Sequence, residues 1–537
     1  MRHIRKNVVC ALLLGIVSAM MAGRSYSTET MPLAFENAAK LYEYQRPDGA
    51  LMLYPTATGQ GRLVPYFSNI AALAWTESAR VTTDTAARGK MLDACGKWLD
   101  WYAFHMNADG AIYDFECDKQ TCKPTGTYDS TDSYAATFCL LLLRHHDAAG
   151  NAAQVRKLEK AVRGAHKAIE LTMDRDGLTY AHPFYPARYL MDNCEVAAGL
   201  ASLKRLYAIL GDSAGQARAA GQLDRLLAQI GRYYQRKAGV FGYTMSSFGT
   251  ISGDFSKAYP DALANLMVLG WLSAGDAPAK ALLGKLKSKF WDSENKNPAF
   301  PNWWIMAALA CGDGDLKGKA LEAAGRHCRK RDVNAPDLGM AAALCATGIE
   351  AFSFPELRLA WDKLTTAPPQ AKSNVSATEA IPPGARVVLT GHKAKGGMLP
   401  NGQWEMEKVK FPLRVDYRLD GAESYLQINL VFPGIVSWDK LRAIKVDMPD
   451  GAVIVARQLQ IALMEADGDV WDFKLPPAER TGKPVELDVS KLAINRWGRD
   501  GDGKCDLSQT AGLRFQIDGN GRLNGEFRIE AISAVPK

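Results

Sequence analysis

The sequence predicts a ring of six helix pairs, an (α/α)6 toroid, followed by a β-sandwich. Three observations predict this order. Between residues 33 and 362, amphipathic helical segments alternate with segments that are apolar nearly all round. Asp48-Gly49, Asp109-Gly110, Asp176-Gly177 and Ala238-Gly239 recur at intervals of roughly 60 to 67 residues, which indicates a repeated unit. After residue 386, apolar and polar residues alternate as they do in half-buried strands.

The repeated unit is an outer helix followed by an inner helix. Arg156 to Leu171 is typical of the outer kind, with one apolar face, whereas Ser133 to Leu143 is apolar on every side and must be enclosed. A closed ring encloses all the inner helices, and an open helical solenoid is the alternative. Each repeated glycine is interpreted as the stop of an outer helix. The predicted pairs are 33–46 with 66–81, 85–107 with 131–147, 152–174 with 190–210, 214–237 with 258–273, 277–290 with 301–311, and 315–331 with 337–350.

The loops between these helices are unequal in length. Those that follow an inner helix are short, such as 81–84. Those that lead into an inner helix are long, namely 47–65, 108–130, 176–189, 238–257 and 291–300. In a ring the long loops gather on one rim, which is where binding and catalytic groups of a rigid scaffold usually lie.

The composition changes after Trp361. Residues 363–385 are rich in Pro, Ala, Ser and Thr, which indicates a linker between the helical domain, 31–362, and a β domain, 386–537. A β-sandwich is predicted from eight strand-like runs. They are 386–390, 413–418, 424–431, 441–447, 458–464, 470–475, 513–517 and 526–532.

The N-terminus reads as a signal peptide over residues 1–27, basic at first and then apolar from Val8 to Gly23. An uncleaved anchor is the alternative, although the apolar run is shorter than the roughly 20 residues that span a bilayer. Cleavage removes four cations and no acid, so the formal charge falls from +7 to +3. We therefore expect an exported monomer, periplasmic or extracellular, with no nucleic-acid partner and no membrane contact once the signal is cleaved.

The long loops combine carboxylates with aromatic rings. This mixture suits carbohydrate, because aromatic rings stack on the C–H faces of sugars while carboxylates accept hydrogen bonds from hydroxyls. The candidate substrate-binding residues are Tyr66, Tyr128, Tyr185, Tyr189, Glu195, Tyr243, Trp303 and Trp304.

Asp132 and Asp192 lie at corresponding starts of consecutive inner helices. Neighbouring helices are on the order of 8 to 10 Å apart, a spacing that fits the two carboxyls of an inverting glycosidase better than the roughly 5 Å of a retaining one. Asp129 and Asp254 are further catalytic candidates, and Asp114 is a weaker one. The alternative is that these acids only cap helices, as in Asp192 with Glu195 three residues later.

Four segments of the helical region resemble the six-hairpin glycosidase superfamily. They are Pro65 to Ala71, Gly126 to Tyr134, Tyr189 to Asn193 and Asn302 to Trp304. The resemblance covers residues 31 to about 360 and implies the same toroid. In the unsaturated glucuronyl hydrolases, which share it, acids at the starts of successive inner helices are catalytic, and these correspond to Asp132 and Asp192. The flanking motif of that family is mostly missing, so its substrate is not carried over.

The C-terminal region is similar to galactose-binding-like jelly-roll β-sandwich modules. The similarity lies in Leu487 to Val489, Trp497, Asp506 to Ser508, Gly512 to Ile517 and Phe527 to Ile529. Many such modules bind carbohydrate and others only pack against a catalytic domain, so both roles stay open.

Two further patterns concern cysteine and metal. Cys117 and Cys122, in one exported loop, are predicted to form a disulfide. Asp500, Asp502 and Asp506 alternate in a Gly-rich turn that a structural Ca²⁺ can use, the alternative being a plain polar turn. No other cofactor is expected.

The function predicted from these features is glycoside hydrolysis by carboxylate general acid/base catalysis, with inversion. One alternative is a polysaccharide lyase, in which His182 or Tyr185 abstracts a proton and Arg188 holds a uronate carboxylate. The other is a non-catalytic glycan-binding protein. The two enzymes differ in their products, and the binding protein has none.

Overall fold

The structure, a computed structural model, describes residues 31–537 except for 57–60, 119, 175, 183–186, 246–250, 292–298, 367–385, 393–412, 422–424, 439, 448–457, 466–469, 474–484, 495–504, 506, 508–509 and 519–520. The predicted signal peptide and nearly all of the predicted linker lie outside the described residues. Within them, no helix is both long and apolar enough to cross a bilayer.

The predicted order of helices followed by strands is confirmed. The outer helices are α1 (Met31–Lys40), α3 (Thr85–His105), α5 (Ala153–Lys157) with α6 (Glu159–Thr172), α8 (Ser213–Gln229), α10 (Ala277–Leu286) and α12 (Gly314–Cys328). The inner helices are α2 (Pro65–Val81), α4 (Thr131–Ala149), α7 (Leu190–Leu210), α9 (Leu263–Leu272), α11 (Pro301–Cys311) and α13 (Ala335–Thr347). A short helix, α14 (Trp361–Thr365), follows.

The inner helices form a closed series. Each packs against the next in chain order, and α13 packs back against α2. Glycines permit the closest approaches: a Cβ at Gly199 of α7 would lie 2.5 Å from the Cβ of Ala136 in α4, and one at Gly339 of α13 would lie 2.2 Å from the Cα of Ala71 in α2. The all-round apolar character of the inner helices is therefore explained, because each is enclosed by neighbours on both sides and by an outer helix.

A buried charge network joins α2, α4 and α13 at the end away from the long loops. Glu77 accepts hydrogen bonds from Arg80 at 2.6 Å and from the Thr347 hydroxyl at 2.6 Å. Arg144 of α4 lies 4.0 Å from Glu77 and donates to the carbonyl oxygen of Ser353. Residues 270 positions apart in the chain thus meet where the series closes.

The repeated glycines are not helix stops, contrary to the sequence prediction. They lie in tight turns several residues after the outer helices end, with φ of 95° at Gly49, 89° at Gly110 and 96° at Gly177. In each turn the preceding Asp accepts a hydrogen bond from the second N–H ahead, as Asp109 does from Ala111 at 3.0 Å. A Cβ at Gly110 would lie 1.9 Å from the carbonyl oxygen of Gly164, so the turn packs directly on the next outer helix.

Short strands join the long loops in pairs. The first two loops share a sheet of β1 (Gly61–Leu63), β2 (Phe115–Cys117) and β3 (Cys122–Pro124). The next two share β4 (Arg188–Tyr189), β7 (Thr244–Met245) and β8 (Ile251–Ser252), while β5 (Tyr234–Gln235) pairs with β6 (Val240–Phe241). The loops at this rim are therefore tied to one another by backbone hydrogen bonds.

The strands of the C-terminal part form antiparallel sheets. They are β9 (Arg386–His392), β10 (Leu413–Gly421), β11 (Tyr425–Val436), β12 (Leu441–Asp447), β13 (Gln458–Glu465), β14 (Val470–Phe473), β15 (Val485–Asp488), β16 (Ala493–Ile494), β17 (Thr510–Asp518), β18 (Gly521–Ile529) and β19 (Ala531–Pro536). One sheet has the order β16-β14-β13-β17-β11-β9, another β15-β12-β19, and β10 pairs with β18. Phe515 of β17 lies opposite both Ile428 and Ile461, and all three side chains are buried.

Candidate functional site

The site begins where α4 and α7 start, side by side at the rim. Ser130 caps α4 by accepting from the N–H of Ser133, and its hydroxyl donates to Oδ1 of Asp132 at 2.6 Å. Oδ1 also accepts from the Ser133 N–H at 2.8 Å, whereas Oδ2 makes no hydrogen bond of regular geometry. Asp132 is fully buried. The start of α4 thus places one carboxyl beneath the surface of the rim.

The first turn of α7 contributes two more carboxyls. Asp192 is half-buried, whereas Glu195 is buried. Oε1 of Glu195 accepts a hydrogen bond from the hydroxyl of Tyr66, in the first turn of α2, at 2.5 Å. Three inner helices therefore meet at this acid cluster, which we define as Asp132, Asp192 and Glu195.

Burial and mutual repulsion raise the pKa values of the acid cluster. Burial raises the pKa of Asp132 to about 6, against the hydrogen bond from Ser130, which lowers it. Burial raises the pKa of Glu195 to about 8, although the hydrogen bond from Tyr66 lowers it. Burial, followed by the charges of Asp132 and Glu195, raises the pKa of Asp192 well above its ordinary value. Within the described part of the chain, no Lys or Arg forms an ion pair with any of the three. Such a cluster can supply a proton at neutral pH.

Asp129 lies one residue before the cap of α4 and is exposed. Its charge acts on Asp192 and on Tyr259, which places it beside the acid cluster. Tyr128 is half-buried, and its ring stacks on that of His182 at 4.6 Å. The structure therefore brings together Asp129, Asp132, Asp192 and Glu195, with Tyr66 bonded to one of them.

Two of the acids named in the sequence are engaged elsewhere. Asp254 is exposed and accepts from the N–H of Ser256 at 3.0 Å, and the hydrogen bonds from Ser256 lower its pKa. Asp114 is buried, with Arg62 at 2.6 Å and the Tyr134 hydroxyl at 2.9 Å. Asp254 stabilises its own turn, and Asp114 is neutralised, so neither joins the acid cluster.

The other predicted residues differ in exposure. Tyr189, at the N-cap of α7, and Tyr243 and Trp303 are half-buried, whereas Trp304 is buried and donates to the carbonyl oxygen of Ala299. Trp304 is therefore a packing residue. Tyr185 and the predicted calcium ligands Asp500, Asp502 and Asp506 lie outside the described residues. Cys117 and Cys122 form a disulfide across β2 and β3. No group of His, Cys, Asp and Glu side chains that could hold a metal occurs among the residues described.

Arg188 is not available to a substrate. Its guanidinium is buried, donates to Asp176 at 2.9 Å and to the Tyr180 hydroxyl at 2.8 Å, and also bonds to Asp174. The clamp that a lyase would need for a uronate carboxylate is thus occupied within the protein. Burial also lowers the pKa of His182, a residue that the lyase alternative uses as its base, to about 4.

Sequence reasoning missed one part of the site. The missed part is the hydroxyl of Ser130, which caps α4 and also donates a hydrogen bond to Asp132. Tyr259 and Phe300, just before α9 and α11, are exposed aromatic residues whose rings lie 6.2 Å apart. Both belong to the aromatic residues of the long loops, which the sequence predicts to suit carbohydrate.

Comparison of the sequence with protein-family models and with curated proteins finds no match. Among solved structures, a wild-type glycosidase is similar over 60% of this chain and 97% of its own, with 12% identity and a TM-score of 0.38. An alpha-amylase from Clostridium perfringens is similar over 60% of this chain and 99% of its own, with 10% identity and a TM-score of 0.41. A family 11 carbohydrate-binding module from Clostridium thermocellum, in complex with a mixed-linked tetrasaccharide, is similar over 28% of this chain and 84% of its own, with 19% identity and a TM-score of 0.20. Values this low do not define an activity.

Proposed function

We propose that this protein is an exported glycoside hydrolase whose helical part is an (α/α)6 toroid and whose active site is the rim around the acid cluster. The observation that carries the proposal is the acid cluster itself: three carboxyls with raised pKa values on two adjacent helices, with no cation paired to them among the described residues. Burying carboxyls without a paired cation costs stability, which makes a catalytic purpose the best account of them.

The roles follow from exposure. Asp192 is half-buried, so it can reach a glycosidic oxygen, and its raised pKa keeps the proton that it must donate. Asp129 is exposed beside it and acts as the base that takes a proton from water. Asp132 is fully buried and cannot touch a substrate, so its role is to hold a negative charge that maintains the proton on Asp192. This differs from the pair Asp132 and Asp192 that the sequence favoured.

The reaction then has a definite course. Asp192 protonates the leaving oxygen as the bond to the anomeric carbon breaks, and water activated by Asp129 attacks the opposite face of the sugar. The products are two shorter saccharides that together have gained one water, with inverted configuration at the anomeric carbon. The C-terminal sheets, which we assign to a jelly-roll β-sandwich, bind the same glycan or brace the toroid.

The test is product analysis with a broad panel of neutral, aminated and uronic-acid polysaccharides. Mass spectrometry should find fragments that have gained water, and NMR of the first product should show inversion. Asp192→Asn should lower kcat by about 10³-fold, because the proton donor is lost. Asp315→Asn, an exposed acid on outer helix α12, is the matched control and should change kcat less than two-fold.

Fragments with a new double bond would instead establish a lyase. Glycan binding without any fragments would establish a binding protein. Equal kcat in Asp192→Asn and the wild type would show that the assignment of the proton donor is wrong.

A further inference from the structure

Three aromatic side chains around the acid cluster are exposed although the protein buries most of its large rings. The exposed fractions are 60% for Tyr259, 36% for Phe300 and 37% for Phe67. The rings of Tyr259 and Phe300 lie 6.2 Å apart with an angle of 49° between their planes. Large apolar groups grouped at a polar rim indicate a binding surface rather than a core.

These residues lie on both sides of the acid cluster. Phe67 is in the first turn of α2, its ring 5.2 Å from that of Tyr66, whose hydroxyl binds Glu195. Tyr259 lies four residues before the start of α9, where it is close enough to Asp192 for the two to interact electrostatically. Because α2 packs against α4 and α9 packs against α7, the acids of α4 and α7 lie between the two aromatic positions.

The backbone at Phe300 supports a binding role. Phe300 has φ 59° and ψ 53°, a left-handed conformation that residues with a bulky side chain rarely adopt. Pro301 then begins α11 directly after it. Strained positions of this kind persist where the surroundings fix them, and they concentrate at ligand sites.

We infer that Tyr259 and Phe300 form one sugar-stacking subsite and that Phe67 forms another on the opposite side of the acid cluster. The inference rests on the proposed function and names its substrate class, which is an oligosaccharide or a segment of a polysaccharide. The protein binds one sugar ring on each side of the bond that is cleaved. A single terminal sugar would engage only one of the two subsites. Stacking of the C–H face of a sugar on each ring supplies the contact.

The test compares long and short substrates. The probes are tetra- to hexasaccharides of β-1,4-linked glucose, xylose and N-acetylglucosamine and of α-1,4-linked galacturonic acid, together with the matching p-nitrophenyl monoglycosides. Each of Tyr259→Ala, Phe300→Ala and Phe67→Ala should lower kcat/KM for the cleaved oligosaccharide by about five- to ten-fold, whereas hydrolysis of the monoglycoside should fall only in the variants of the one subsite that a single sugar engages. Phe104→Ala, which removes a ring that is 83% exposed on outer helix α3, is the control and should leave both unchanged.

Binding measured by calorimetry in the Asp192→Asn background separates this inference from the proposed function. Oligosaccharide binding that weakens in the aromatic variants, with no cleavage by the wild type, would support the subsites and overturn the hydrolase. Cleavage at the wild-type rate in all three aromatic variants would overturn the subsites and leave the hydrolase standing. Absence of binding to every probe would also overturn the subsites.

Discussion

Buried carboxyls lie at both ends of the layer of inner helices, in opposite circumstances. At the end away from the long loops, Glu77 is bonded to Arg80 and Thr347, with Arg144 nearby. At the rim, Asp132 and Glu195 are as deeply buried but have hydroxyl and N–H donors in place of cations. A buried carboxylate that is paired with a cation stabilises the fold, whereas the pKa of a buried carboxyl without a cation is raised. Pairing, more than burial, distinguishes the structural end from the reactive end.

The first expected difference is in stability at a fixed pH. Glu77→Gln should lower the free energy of unfolding by about 3 kcal/mol, because it leaves Arg144 and Arg80 without their buried counter-charge. Glu195→Gln should leave it unchanged or raise it at pH 8, because a carboxyl without a cation is replaced by a neutral amide of the same shape. Urea unfolding of both variants measures the difference. Equal destabilisation by the two substitutions would show that pairing with a cation does not distinguish the two ends.

The second difference is the dependence of stability on pH. The pKa of Glu195 rises from its ordinary 4.5 to about 8 on folding. The folded state therefore holds the proton more tightly, and this contribution to stability is fully present below pH 4.5 and is lost as the pH rises to about 8. The loss is on the order of 4 kcal/mol.

Glu195→Gln should remove that part of the decrease between pH 4.5 and 8, as measured by urea unfolding across the range. Glu322→Gln, an exposed acid on outer helix α12, is the matched control and should follow the wild-type curve. If the curve of Glu195→Gln also follows the wild type, Glu195 does not hold its proton as inferred.

The smallest expected effect is on the pH profile of activity. The charge of Asp132 raises the pKa of Asp192, so Asp132→Asn should lower that pKa and let the donor lose its proton sooner. The alkaline limb of kcat/KM should move down by about one pH unit. An unmoved limb with a lower kcat would instead indicate that Asp132 only orients its neighbours.

Much of the helical part follows from the sequence because its signals are local. The apolar runs of α4 and α7 predict enclosure, and equivalent helix starts predict that Asp132 and Asp192 lie on one rim. The prediction that the repeated glycines end helices is wrong because the requirement for glycine comes from another part of the chain. At Gly110 a side chain would collide with the backbone of Gly164, on another helix, and no local sequence pattern contains that contact.

The site is less predictable because its chemistry depends on pairing between distant residues. Arg62 neutralises Asp114 from 52 positions away, and Thr347 reaches Glu77 from 270. Nothing in the sequence spacing distinguishes Asp114, which forms an ion pair with a cation, from Asp132, which does not. The sequence also does not predict the full burial of Asp132, because the same helix-capping residues are equally typical of exposed helix starts.

The small sheets at the rim determine which loops can change independently of one another. The first and second loops share β1, β2 and β3, and the third and fourth share β4, β7 and β8. An insertion in one loop of a pair must be accommodated by its partner, because the strands are hydrogen-bonded in register. The rim therefore consists of two coupled pairs of loops rather than four independent loops, so a displacement of one loop is passed to its partner through the shared strands.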